Sequence, residues 1–150
     1  MSVSDDNRSR SHSNLRLRIV AALFAVTAVG FSSKFYSGPG AAWANNSLAG
    51  AFYEIFWQLA VLFCAPRARI ERIAVGVFVG TCAIEFLQLW HPPVLQAIRA
   101  NFLGRAVLGS TFAWSDFPYY AVGSLAGWSL LRRLRGLDYA SPALVGESRG

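Results

Sequence analysis

Apolar residues gather along the chain in four runs, at about 15–32, 48–65, 73–90 and 117–131, and each run is closed by residues that resist burial or helix. Arg16 and Arg18 flank the first, Pro66 and then Arg67, Arg69 and Arg72 close the second, His91, Pro92 and Pro93 close the third, and Arg132, Arg133 and Arg135 close the fourth. The third run covers about 27 Å at roughly 1.5 Å per residue, close to the thickness of a hydrocarbon core. The pattern predicts four helices, each able to cross a bilayer. Residues 1–14, MSVSDDNRSRSHSN, carry no periodic apolar signal and predict a disordered tail, as do residues 136–150. The Gly, Pro, Asn and aromatic mixture over 32–47 reads as an interfacial loop. A rival reading makes the first run a cleaved signal peptide with small residues at Ala28 and Gly30, but the three later runs need a cytoplasmic start to balance their charges.

Composition strengthens the membrane reading. Apolar residues make up 54% and charged residues 15% of the 150-residue chain, against roughly 25% charged in an average soluble domain. The net charge of +6 does not point to nucleic acid, because the arginines sit at the ends of apolar runs and not along one face with interleaved aromatics. Counted on alternate sides of the four runs, Lys and Arg divide eleven to three. The positive-inside rule then places both termini in the cytoplasm and the two longer loops outside. The expected fold is an all-α integral membrane protein with four transmembrane helices, N-in and C-in, in residues 15–135, multi-pass in the bacterial inner (plasma) membrane. Its first partner is the lipid bilayer itself. Cys64 and Cys82 lack neighbours at metal-ligand spacing, so no metal or other cofactor is expected.

Two carboxylates interrupt the apolar runs, Glu54 in the second and Glu85 in the third. Counted from the outer helix ends they lie about 9 Å and about 8 Å deep, so on neighbouring antiparallel helices they reach nearly the same level. Acids at that depth usually face the bundle interior or water and mark functional sites. Gln58 lies one turn below Glu54, and Gln88 three residues beyond Glu85. In the outer loop, Leu95, Ile98 and Phe102 recur at helical spacing opposite Gln96 and Arg99, which predicts a short amphipathic or re-entrant helix ended by Gly104. Its polar side would carry Arg99 within reach of Glu85 or Glu54. Asp116 either caps the fourth helix or joins Tyr120, Gly123 and Gly127 on one stripe. Gly123 and Gly127, like Gly76 and Gly80, form small-residue pairs suited to close helix packing, within the chain or in a homo-oligomer.

The stretch IEFLQLWHPPVLQAIRANFLGRAVLGSTFAWSDFPYYAVGSLAG, with SKFYSG and EIFW before it, closely resembles bacterial membrane proteins grouped as domain of unknown function 2809. The elements that carry the resemblance are Glu85, Gln88, the AIR triplet ending at Arg99, Leu108 with Gly109, and Asp116, Tyr120 and Gly123. That family is similar, more distantly, to VanZ-like proteins, in which a Glu-x-x-Gln pair precedes an Asp with residues at +4, +7 and +11. Here those positions are Glu85 and Gln88, then Asp116, Tyr120, Gly123 and Gly127; the +4 residue is typically Asn in VanZ-like proteins and Tyr120 here. Gln96 stands where the closer family commonly has an acid, and Glu54 where it usually has Asp. The resemblance implies a role in the envelope, since VanZ-like proteins are associated with low-level glycopeptide resistance. The expectation is an outward-facing pocket of Glu54, Glu85, Gln88, Arg99, Asp116 and Tyr120 that binds an envelope or membrane-associated ligand. The alternatives are a membrane enzyme on a lipid or cell-wall precursor headgroup, with Glu85 or Asp116 as general acid or base, and a helix-packing assembly module.

Overall fold

A computed structural model describes residues 3–33, 35–41, 48–109 and 111–140. Among the described residues there are six helices and no strands: α1 Val3–Ser33, α2 Ala49–Cys64, α3 Ile70–Leu87, α4 Pro93–Arg99, α5 Phe102–Leu108 and α6 Asp116–Ala140. Each long helix stops for a local reason. Ala65 precedes Pro66 and leaves helical geometry at φ −126°, ψ 69°, as the proline ring demands of its predecessor. α3 starts after an extended Arg69, with Glu71 in its first turn against the positive end of the helix dipole. It ends in a tightened turn in which Gln88, Leu89 and Trp90 each donate a backbone bond to the residue three back, ahead of the two prolines. Pro93 then occupies the start of α4, where a missing N–H costs nothing.

The boundaries differ from the sequence-based expectation in four places. α1 reaches back to Val3, so residues 3–14 are helical and not a structureless tail; once the apolar segment has nucleated the helix, extending it costs little. α3 begins three residues before position 73. α6 runs past Leu131 to Ala140, because Arg132, Arg133 and Arg135 end the apolar run without ending the helix and Arg is itself a good helix former. The expectation for 141–150 lies outside the described residues. The segment between α3 and α6 holds two short helices in place of one, and Gly104 sits inside the second. A Cβ at Gly104 would collide with the Ile98 carbonyl; the glycine lets α5 fold back against α4.

α2 and α6 form the central pair, with α1 packed on one side and α3 on the other. Glycines set how closely they approach. A Cβ on Gly123 would stand 2.6 Å from the Ala51 carbonyl oxygen and 2.9 Å from Glu54 Cβ, and one on Gly127 would meet the Gln58 side chain at 2.8 Å. At one end of the bundle Leu15, Ile19, Leu59, Leu62, Ile70, Ile73, Leu131 and Leu134 form the apolar core. There Arg135 donates to the carbonyls of Pro66 and Ala68 at 2.9 and 2.8 Å, tying α6 to the α2–α3 turn. The opposite end buries polar groups. Among the described residues one helical segment, Asn14–Ser33, with mean hydropathy 1.7, is by length and composition able to cross a membrane, while α2 is apolar but shorter.

Candidate functional site

The polar end is organised by Glu85. Its side chain is 1% exposed, and its two oxygens accept three hydrogen bonds. Oε1 takes the backbone N–H of Ala113 at 2.8 Å, and Oε2 takes the Gln88 amide and the Tyr120 hydroxyl, both at 2.9 Å. One carboxyl thereby joins α3, α6 and the loop that leads into α6. A buried carboxyl is tolerated when donors satisfy its lone pairs, and the Glu-x-x-Gln spacing supplies one of them from the same helix face. Gly109 completes the arrangement. Its φ of 67° lies in the left-handed region, and a Cβ there would strike the Gln88 amide nitrogen. Only glycine satisfies both demands without strain.

Beside Glu85 opens a cavity of about 620 Å³ between α2, α3 and α6 at the polar end of the bundle and the α5 segment. Gln88, Asp116 and Tyr120 line it with Glu85, together with Arg105, Thr111 and Ser115. Ser115 donates to Asp116 Oδ1 at 3.3 Å, and Asp116 is the first residue of α6. Tyr53, also on the wall, donates to the Val107 carbonyl at 2.7 Å and pins α5 to α2. Four of the six expected site residues therefore converge. Glu54 and Arg99 do not line this cavity.

Arg99 corrects the expected guanidinium–carboxylate pair. Its Nη2 donates to the Leu87 carbonyl at 3.0 Å and its Nη1 to the Trp90 carbonyl at 3.2 Å. The cause is the end of α3, whose last carbonyls have no intrahelical donor and attract a cation. Arg99 thus fastens α4 to the C-terminus of α3 and shapes the site from behind. Glu54 sits deeper. On α6 it meets Gly123, whereas Glu85 bonds Tyr120, three residues nearer the helix start, so Glu54 is about 4.5 Å lower. Sequence reasoning missed Thr81 and Tyr53 as wall residues, and gave Arg105 only as one of the polar groups in the segment before α6. Gly50, Tyr53 and Glu54 recur at one-turn spacing on α2, a signal that was available.

The lining mixes a guanidinium, carboxyls, hydroxyls and an amide with apolar side chains such as Ile84 and Val107, a combination that can meet an amphipathic guest with a charge-bearing head. Among the described residues no group of His, Cys, Asp and Glu could hold a metal ion. The model of the family described as Protein of unknown function (DUF2809) matches residues 40–124, more than half of the chain. The chain belongs to the DUF2809 family. The DUF2809 segment runs from before α2 into α6 and contains every residue that lines the cavity, while α1 lies outside it. No solved structure matches the chain.

Proposed function

We propose that this DUF2809 protein is a multi-pass protein of the bacterial inner membrane in which α1, α2, α3 and α6 all span the bilayer, and that its cavity faces outward and binds the polar headgroup of an envelope or membrane-associated ligand. The observation that carries the reading is the cavity of about 620 Å³ walled by Glu85, Gln88, Arg105, Ser115 and Asp116 at one end of a bundle with apolar flanks. Those flanks support the spans. Phe24 is 78% exposed, and Val75, Val79, Val122 and Leu125 are each more than half exposed along three helices, which water would penalise and lipid would not. At the cavity end Trp90, Phe102 and Trp114 are also exposed, and Phe86, Phe112, Trp114 and Phe117 form a contiguous ring cluster. Aromatics collected at one level match the belt at a membrane–water interface. The eleven-to-three division of Lys and Arg supports an outward-facing cavity.

Arg105 and Asp116, both in the lining, suit a zwitterionic or anionic headgroup, the guanidinium taking phosphate and the carboxyl taking an ammonium or hydroxyl. Titration of the purified protein in nanodiscs with short-chain phosphatidylethanolamine, phosphatidylglycerol and a polyprenyl phosphate, read by native mass spectrometry, tests this. Saturable binding of one headgroup, weakened at least about tenfold by Arg105→Ala, corresponds to loss of about 1.4 kcal/mol or more. Equal, non-saturating association of all three with wild type and variant would end the proposal. A second reading, helix-mediated assembly, is favoured by α3: nothing lies within 4 Å of a Cβ built on Gly76 or Gly80, so that small-residue pair is open to another helix, whereas Gly123 and Gly127 are already used inside the bundle.

A further inference from the structure

Below the cavity lies a set of buried acceptor oxygens that the headgroup reading does not use. Glu54 is completely buried, and among the described residues neither of its carboxyl oxygens makes a hydrogen bond of normal geometry, although the Thr81 and Gln58 side chains both approach it. Gln58, one turn further along α2 and also fully buried, spends its amide N–H on the Ser124 carbonyl at 3.1 Å and the Ser124 hydroxyl at 3.3 Å. Gln58 Oε1, which lies against Gly127, is also without a partner among the described residues. Thr81 of α3, 5% exposed, stands beside Glu54 and brings a hydroxyl oxygen from the facing helix. The Ser124 hydroxyl is committed elsewhere, donating to the Ala74 carbonyl at 3.3 Å. Gly123 and Gly127 on α6 leave the room in which Glu54 and Gln58 lie.

Three orphaned buried acceptors on two residues one turn apart cost free energy that a positive guest would remove. We infer that Glu54, Gln58 and Thr81 form a binding site for a monovalent cation such as Na⁺, set one turn beneath the headgroup cavity. Three features select this guest. All the available atoms are oxygens, of carboxyl, amide and hydroxyl type, which are the ligands of hard cations. The cluster holds one carboxyl, and the other acid nearby, Glu85, is already satisfied by three donors, so one positive charge balances the site and two would leave a buried excess. Size gives the third. Thr81 lines the cavity but Glu54 does not, so a headgroup stops at Thr81 while a dehydrated ion passes to the carboxyl. This site does not depend on what the cavity itself binds.

Binding of ²²Na⁺ to the purified full-length protein in detergent, at fixed ionic strength with N-methyl-D-glucamine chloride as the replacing salt, tests the inference. Saturable binding is expected in the wild type and in Gln96→Ala, a substitution on exposed α4. It should disappear in Glu54→Gln, which keeps the shape and removes the charge, and weaken at least about tenfold in Thr81→Val, which keeps the carboxyl should Glu54→Gln fail to fold. Displacement of ²²Na⁺ by K⁺ supports the same site. No saturable binding, binding retained in Glu54→Gln, or displacement by Ca²⁺ at lower concentration than by Na⁺ would each overturn it.

Discussion

At one end of the bundle Leu59, Leu62, Ile73 and Leu131 close on one another with almost no exposed surface, while at the other the buried side chains are the polar Glu54, Glu85, Gln88 and Arg99. The helices α2, α3 and α6 are common to both ends. Side-chain chemistry differs, and with it the way the ends cohere. The leucine end relies on close packing of many small dispersion contacts. The polar end relies on a few directed bonds that meet at Glu85 and on Arg99 closing the C-terminus of α3. Directed bonds hold a cavity open where packing would fill it. A site that must accept a guest is therefore found where the interior is polar and the loops are tied down by hydrogen bonds, and the arginine-anchored end serves as its rigid base.

This contrast predicts unequal responses to substitution. The largest effect belongs to Glu85→Ala, which strands the Tyr120 hydroxyl, the Gln88 amide and the Ala113 N–H at once. At about 1–3 kcal/mol for each of the three stranded buried groups, the loss is on the order of 3–9 kcal/mol, read as a shift of the SDS-unfolding midpoint in detergent micelles. Glu85→Gln should lose less, since its amide oxygen still accepts. Next comes Leu59→Ala at the apolar end, with a loss of about 2–4 kcal/mol from the cavity it leaves. An outcome in which Leu59→Ala costs more than Glu85→Ala would mean that the polar end is not held together by its carboxyl. The smallest effects separate two glycine pairs. Gly76→Ala meets nothing within 4 Å and should stabilise by about 0.5–1 kcal/mol through the unfolded chain, whereas Gly127→Ala presses on Gln58 and should destabilise by about 1–2 kcal/mol. Loss of a chemically crosslinked dimer in Gly76→Leu, with the monomer still folded, would instead favour assembly through α3.

Much of the bundle was legible in the sequence because its signals are periodic. The runs at 48–65 and 73–90 correspond to α2 and α3 within three residues, and the one-turn spacings that paired Glu85 with Gln88 and Asp116 with Tyr120 do bring those residues to one cavity. What spacing could not reveal are bonds between a side chain and a distant backbone. Arg99 was expected on a carboxyl because charge attracts charge, yet it donates to the carbonyls of Leu87 and Trp90 at the end of α3, the first of which also takes the Trp90 N–H. Glu85 was expected to share a site with Glu54, but the Ala113 N–H, 28 residues along the chain, captures it. Helix ends misled for a related reason: Arg132, Arg133 and Arg135 mark where apolar surface stops, and helical backbone continues through them to Ala140.

The central claim is that the polar end faces outward and the leucine end inward. With Cys64 and Cys82 replaced by Ala, single cysteines placed by Ser115→Cys at the cavity rim and by Ala65→Cys at the α2–α3 turn are both exposed for labelling. A membrane-impermeant maleimide applied to intact spheroplasts should label Ser115→Cys, and should label Ala65→Cys only after the membrane is opened. Labelling of Ala65→Cys in intact spheroplasts with protection of Ser115→Cys would turn the cavity to the cytoplasm and contradict the account.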